Sequence, residues 1–295
     1  MLRQVLRSLV GGFLMGTADL VPGVSGGTIA LVLGIYERLV ASIRQGSSAL
    51  GSMIKADIAG FRDHLSSVEW RFFVPLLAGI LLAVVLLASF LEHQLEERPE
   101  VIAGVFFGLV LGSIGIAWRL LRGATWRQVV IASIVGLVLF VALGLGEGQI
   151  REDPSSLAFF GAGALAICAM ILPGISGSLI LLMLGMYAPV LAAVTDREFG
   201  TITVFALGAM VGLALFSQLL HWLLEHHYDN VLAALIGLMA GSMRILWPWP
   251  DGVGSSELGT PGNDWISVFT AMLVGAMIVI LISRLAMSRE SVASA

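Results

Sequence analysis

The segment Pro22-Gly23-Val24-Ser25-Gly26-Gly27-Thr28 interrupts an apolar run, and the interruption returns as Pro173-Gly174-Ile175-Ser176-Gly177-Ser178. Displacing the chain by 151 residues aligns 22–36 with 173–187 without a gap, and 9 of those 15 positions are identical. No regular helix runs through such a segment, because proline lacks a backbone donor and glycine loses the most conformational freedom on ordering. At membrane depth, broken backbone is tolerated only where it is buried in protein or lines a wet cavity. Two breaks in corresponding positions point to a substrate site made by two discontinuous helices. The competing reading is a pair of kinks that let helices pack closely.

The solvent for this chain is a bilayer. Of its 295 residues 58% are hydrophobic and 12% charged, with a mean hydropathy of +0.96, whereas soluble domains carry roughly 25% charged residues. The net charge of −4 is spread over loops and suggests no nucleic-acid face. Cys168, the single cysteine, excludes an internal disulfide and any Cys-rich metal cluster. Arg3 and Arg7 before an apolar run imitate a signal peptide. That run contains Asp19 and Pro22 and continues into the first motif, so it reads as retained.

Apolar arms at 5–20 and 23–40 flank the first break, and arms at 157–171 and 174–192 flank the second. Between and after them lie six candidate spans, near 72–91, 101–118, 128–146, 201–220, 231–247 and 265–283, each close to the ~20 residues a bilayer requires. Basic residues place 41–71 (Arg44, Lys55, Arg62, Arg71), 119–127 (Arg119, Arg122, Arg127) and the tail (Arg284, Arg289) on the cytoplasmic side. The segments 92–100, 147–156, 193–200 and 248–264 are acidic or poor in Lys and Arg and fall outside. Residues 8–40 must then enter and leave by one face and 157–192 by the other, each as a re-entrant hairpin. With three spans between the hairpins, the halves have opposite orientation.

The repeat extends past the hairpins. At a displacement of 129, Gly79, Glu96, Gly108, Gly112 and Trp118 meet Gly208, Glu225, Gly237, Gly241 and Trp247. At 139, Trp126, Val129, Ala132, Val135 and Gly136 meet Trp265, Val268, Ala271, Val274 and Gly275. The fold class expected is therefore an all-α integral membrane protein with an inverted-topology repeat, each half one re-entrant helical hairpin plus three transmembrane helices. It forms a single membrane domain over 1–295, with repeats at 1–150 and 151–295. The first half is 22 residues longer, and the excess falls where apolar residues recur at helical spacing. This predicts an amphipathic surface helix near 48–69. The glycines at small-xxx-small spacing suit close helix contact. Trp118, Trp126, Trp247, Trp249 and Trp265 read as an interfacial belt, as do Tyr36 and Tyr187. Arg244 reads as a snorkelling side chain.

The broken helices carry the chemistry. Ser25 and Ser176 are candidate N-caps, and the first-turn N–H groups beyond them have no intrahelical partner. Each helix start carries about half a positive charge. Gly23, Gly26, Gly27, Gly174 and Gly177 permit close approach, while Ser25, Thr28, Ser176 and Ser178 offer hydroxyls. Together these make a phosphate-binding site. Two helix starts supply about one positive charge, against about −1.5 to −2 on a phosphate monoester, so a cation or proton is needed. Asp19, three residues before Pro22 and opposite Met170 in the second copy, is the candidate for proton coupling. A helix-capping role is its bland alternative. The histidines His221, His226 and His227 form no pattern that argues for a metal. Neither metal nor cofactor is expected.

The stretch Gly16-Thr-Ala-Asp-Leu-Val-Pro-Gly-Val-Ser-Gly-Gly-Thr28, continuing to Leu33-Gly-Ile-Tyr-Glu37, closely resembles the signature of the bacterial membrane family known as domain of unknown function 368. The second copy, Leu172-Pro-Gly-Ile-Ser-Gly-Ser178 to Leu184-Gly-Met-Tyr187, matches as well. PopT-type members of that family are implicated in moving undecaprenyl phosphate, the polyprenyl carrier of cell-envelope synthesis, back across the cytoplasmic membrane. The resemblance implies a lipid-phosphate flippase of the bacterial inner membrane, multi-pass, with cytoplasmic N- and C-termini. Its partners would be the polyprenyl phosphate, the bilayer and protons, with Asp19, Ser25 and Ser176 at the motif positions. A membrane polyprenyl-pyrophosphate phosphatase and a secondary transporter of a small soluble anion remain open. The phosphatase chemistry wants an arginine beside the serine and a second carboxylate, and Gly26 and Gly177 follow the serines here.

Overall fold

The computed structural model describes residues 2–293 apart from Pro22, Gly23, Glu147, Gln149, Glu152 and 254–256. Regular structure among the described residues is entirely helical. The first half contains α1 (Leu2–Asp19), α2 (Gly26–Val32), α3 (Tyr36–Ile54), α4 (Ile58–Ser67), α5 (Trp70–Glu97), α6 (Pro99–Arg119) and α7 (Trp126–Leu143). The second half contains α8 (Ser156–Ile171), α9 (Gly177–Met183), α10 (Tyr187–Thr195), α11 (Phe199–His226), α12 (Tyr228–Ser242) and α13 (Trp265–Ala293).

Among the described residues five helices, α5, α6, α7, α11 and α13, are long and apolar enough to cross a bilayer. The pair α9 and α10, bent by 111°, makes a sixth if counted as one span. Exposure of Leu81, Val85, Leu86 and Phe90 on α5, and of Leu137 and Val138 on α7, is the surface of a protein solvated by lipid. Four of the expected spans fall within these helices, and the expected span at 128–146 begins in α7 and runs past its end at Leu143. The expected span at 231–247 becomes α12, of 15 residues. At ~1.5 Å per residue this is shorter than the ~30 Å hydrocarbon layer. Beyond Ser242 the chain tightens into bonds from Ile245 N to Ser242 O and from Trp247 N to Arg244 O. Pro248 then forbids helical continuation.

Glycines set the helix pairs. A Cβ on Gly12 would stand 1.9 Å from the Leu76 carbonyl oxygen, and one on Gly79 would stand 2.1 Å from that of Leu9, so α1 and α5 touch backbone to backbone. In the second half, a Cβ on Gly163 would stand 2.2 Å from the Phe205 carbonyl oxygen and one on Gly208 2.0 Å from that of Phe160, which joins α8 to α11 in the same way. All four pairs of positions correspond at the displacements of 151 and 129. The remaining long helices pair across the halves. Gly108 meets Met272 O and Gly275 meets Val105 O between α6 and α13; Gly237 meets Ala132 O and Gly241 meets Gly136 O between α7 and α12.

The second arm of each broken pair is itself divided. After α2, Gly34 takes φ +69°, with Gly34 N bonded to Leu31 O and Ile35 N to Ala30 O. After α9, Gly185 takes φ +66°, with Gly185 N bonded to Leu182 O and Met186 N to Leu181 O. This is a Schellman closure in both copies, and it needs the left-handed conformation that glycine adopts without penalty. The residues near 48–69 divide between the end of α3 and α4, separated at Ala56 (φ 56°), with Asp57 capping α4 through Gly60 N at 2.9 Å. α3 packs on α11, where Ser47 Oγ lies 3.2 Å from Ser217 Oγ.

Candidate functional site

α1 ends at Asp19 and α8 at Ile171, and each is followed by a turn and a seven-residue helix, α2 or α9. Ser25 caps α2: its backbone is extended and its hydroxyl accepts from Gly27 N at 3.1 Å. Ser176 caps α9 by accepting from Leu179 N at 3.2 Å. Both candidate N-caps therefore do what a serine before a helix does, which is to satisfy a first-turn donor.

The two turns lie against one another. Ser25 Oγ donates to the Leu172 carbonyl at 3.0 Å. Thr28 Oγ1 accepts from Gly174 N at 3.1 Å. Tyr36, 2% exposed, donates its hydroxyl to the Ile171 carbonyl at 3.2 Å. A Cβ at Gly27 would stand 2.9 Å from that same carbonyl. Gly174, at φ +86°, holds the second turn against α12, 2.7 Å from Met239 Cα by the same construction. Ser25 and Thr28 at the start of α2 and Tyr36 at the start of α3 thus supply side chains, and the end of α8 with the turn after it supplies backbone.

The copies differ in what closes them. Gly26 N donates to Asp19 Oδ1 at 2.5 Å, so a carboxylate already sits on the first turn of α2. In the second copy Gly177 packs against Met170 and the Ala166 carbonyl. Ser25, Gly26, Gly27 and Thr28 are buried, while Ser176 is half-buried and Ser178 exposed, their hydroxyls 2.9 Å apart. Gly23 lies outside the described residues. The described members of the expected site accordingly fall into two groups: Ser25, Gly26, Gly27, Thr28 and Gly174 in the sealed contact between turns, and Ser176, Gly177 and Ser178 at the start of α9.

Several side chains lie elsewhere than the sequence reading places them. Tyr36 is a buried tie between the turns; only its match Tyr187, 41% exposed, is free to sit at an interface. The identity of the two tyrosines hid this, because their partners differ. Trp126 and Trp265 are exposed as a belt requires, but Trp249 is 1% exposed and packs on Trp247 and Phe269. Arg244 is half-buried, with its guanidinium 4.8 Å from the Phe140 ring centre. His221 pairs with Glu225 at 3.1 Å, and His226 stacks on Trp222. No group of three metal-ligating side chains occurs among the described residues.

The profile of the VCA0040-like family, described as undecaprenyl phosphate translocase-like, matches residues 15–259, which include both turns and α1 from Met15 through α12. The chain belongs to the undecaprenyl phosphate translocase-like family. A polyprenyl-phosphate transporter of Vibrio cholerae serotype O1 (strain ATCC 39315 / El Tor Inaba N16961) is 39% identical over 250 residues, covering 83% of this chain and 79% of that protein. A polyprenyl-phosphate transporter of Staphylococcus aureus (strain NCTC 8325 / PS 47) is 30% identical over 304 residues, covering 96% and 98%. No solved structure matches significantly. Membership fits a multi-pass membrane transporter, and the exposed apolar faces of α5 and α7 agree with it.

Proposed function

We propose that this chain moves a polyprenyl phosphate, undecaprenyl phosphate above all, across the bacterial cytoplasmic membrane, so that the carrier lipid is recycled in envelope synthesis. The observation that carries the reading is the contact between the two turns, made through Ser25, Thr28 and Tyr36. It sets the start of α2 against the turn that leads into α9, and in this reading an anionic headgroup meets both helix starts there. Family membership supplies the substrate class.

In this reading the halves form an inverted repeat of two re-entrant hairpins with three further helices each, both termini cytoplasmic. The corresponding glycine contacts of α1 with α5 and of α8 with α11 support it. The phosphate meets the turns at Gly23, Ser25, Gly26, Gly27, Thr28, Gly174, Ser176, Gly177 and Ser178. The tail stays in lipid, since carrying it through water would cost about 0.8 kcal/mol for each exposed CH₂.

Asp19 couples the proton. Its carboxylate occupies the Gly26 N–H, where a phosphate oxygen would otherwise sit. Protonating Asp19 removes a charge that repels phosphate and frees that N–H to turn to the substrate. The same proton offsets a membrane potential, negative inside, which opposes inward movement by about 2.3 kcal/mol per charge per 100 mV.

The test is competition. Binding of a labelled polyprenyl phosphate to the purified chain should be displaced by unlabelled polyprenyl phosphate and not by inorganic phosphate or a soluble phosphate monoester. Displacement by the soluble compounds at equal concentration would favour a transporter of small anions. Release of phosphate from a polyprenyl pyrophosphate would favour a phosphatase.

A further inference from the structure

A cavity of about 190 Å³ opens beside the turn between α2 and α3, and its floor and mouth differ in kind. The floor is apolar: Leu31 from α2, Leu224 from α11 and Leu232 and Leu235 from α12 are all buried. The mouth is polar. Gly34 and Glu37 are exposed there, and Tyr228 at the start of α12 is half-buried. The space is far above the ~15 Å³ that seats one water and below the ~300–1,000 Å³ that encloses a whole small molecule. It takes part of a ligand and leaves the rest outside.

Both signs of charge stand at this mouth. Glu37 ends the first motif stretch, takes no part in the contact between the turns, and forms no ion pair among the described residues. Its place in the first turn of α3 suits a negative charge, because the N–H groups of a helix start lack partners. Arg122 lies over the Tyr228 ring, its guanidinium 4.4 Å from the ring centre, and its backbone N–H donates to Asp229 Oδ1 at 2.9 Å. The charges of Glu37, Arg122 and Asp229 all reach the Tyr228 hydroxyl. The carboxylate and the guanidinium thus flank one aromatic residue above a leucine floor. The duplication does not account for this arrangement. Ala188 stands 151 residues after Glu37 and Pro99 stands 129 before Tyr228, so the second half carries neither group.

We infer that this cavity binds a phospholipid whose head carries a primary amine, of the phosphatidylethanolamine type, held in the leaflet on the side of Arg119, Arg122 and Arg127. The ammonium meets the Glu37 carboxylate and is attracted by the Tyr228 ring. The phosphate, joined to the amine through two carbons, meets the Arg122 guanidinium. The leucine floor receives the carbons nearest the head, and the chains continue into the bilayer. A purely anionic head would set its phosphate against Glu37, a like-charge contact that selects against it. A choline head has no N–H to donate to that carboxylate. The site stands whether or not the turns carry a lipid phosphate. Tyr36 links the two places, since it lines the cavity while its hydroxyl donates to Ile171 O, and a lipid seated against it braces the contact between the turns.

The test is lipid retention by native mass spectrometry of the full chain, stripped of lipid in detergent. Phosphatidylethanolamine, phosphatidylcholine and phosphatidylglycerol with identical acyl chains are offered at equal concentration. The parent chain should retain phosphatidylethanolamine at least fivefold over each of the others. Glu37→Gln should bring its ratio to phosphatidylcholine close to one, and Arg122→Gln should weaken both lipids together while leaving that ratio in place. Leu120→Trp, which fills the cavity from a half-buried wall, should abolish retention. Glu37→Gln breaks no ion pair, so its melting temperature without lipid should equal the parent's, and the rise that phosphatidylethanolamine gives the parent should fall at least by half in the variant. Equal retention of the three lipids, or a preference that Glu37→Gln leaves unchanged, overturns the inference. So does displacement by soluble phosphoethanolamine at equal concentration, which would mean that no chain is held. Displacement by polyprenyl phosphate at equal concentration would give the cavity to that lipid instead and overturn it as well.

Discussion

Asp19 closes the first broken helix by accepting from Gly26 N at 2.5 Å, and Met170 faces Gly177 at the matching place in the second. One half of the molecule thus keeps a titratable group on its helix start, and the other half keeps a thioether. The difference separates a capping role from a proton-carrying one, since asparagine retains the acceptor and loses the proton.

Asp19→Asn should keep the bond from Gly26 N, fold normally and still bind polyprenyl phosphate. It should lose the dependence of translocation on an imposed pH step across liposomes. Asp19→Ala should also lose the cap, at about 0.5–2 kcal/mol of stability. If Asp19→Asn responds to the pH step as the parent does, Asp19 is a helix cap and nothing more.

The contact between the turns should be worth measuring by its hydroxyls. Tyr36→Phe leaves the Ile171 carbonyl without its donor, and Thr28→Val leaves Gly174 N without its acceptor. Each should cost about 1–3 kcal/mol, seen as a lower melting temperature in detergent. Tyr187→Phe, at the matched but exposed position, should leave the melting temperature unchanged.

Serine substitutions should divide in the same way. Ser25 is 1% exposed and bonded on both sides, so Ser25→Ala should lower stability together with lipid binding. Ser176 is half-buried and pairs with exposed Ser178. Ser176→Ala should therefore weaken binding of the phosphate head several-fold with a smaller change in melting temperature. Equal losses of stability in the two variants would place Ser176 in the scaffold.

The paired glycines give a test of the architecture. Gly12→Ala and Gly208→Ala would each drive a Cβ to within 2.0 Å of a neighbouring helix carbonyl, and neither should yield a folded, monodisperse protein. Gly115 in α6 and Gly161 in α8 have nothing within 4 Å. Alanine there should be neutral or stabilising by up to about 1 kcal/mol, read from thermal melts.

The breaks between α1 and α2 and between α8 and α9 were legible because proline and glycine act locally, whatever surrounds them. The helix-pairing glycines were legible as spacing, although not which helix each would meet: the crossing of α6 to α13 and of α7 to α12 depends on tertiary packing. Tyr36 and Trp249 escaped for the same reason. An amphipathic ring looks alike in sequence at an interface and in a core, and only the Ile171 carbonyl or the Phe269 ring distinguishes them. The shortness of α12 was written in Pro248 and Pro250, but Met243, Ile245, Leu246 and Trp247 extended the apolar run and concealed it. The Schellman closures at Gly34 and Gly185 lay inside the aligned motif, where their identity reads equally well as part of a substrate site.

The central claim is that these two turns carry a lipid phosphate from one leaflet to the other. It is tested most directly with the purified chain in liposomes that hold a labelled short-chain polyprenyl phosphate, by following its loss from the outer leaflet to an impermeant reagent. The account predicts movement between leaflets that depends on the protein, is strongly reduced in Ser176→Ala and is stopped by a bulky residue at Gly177. Movement no faster than in protein-free liposomes, with the chain folded and inserted, would contradict it.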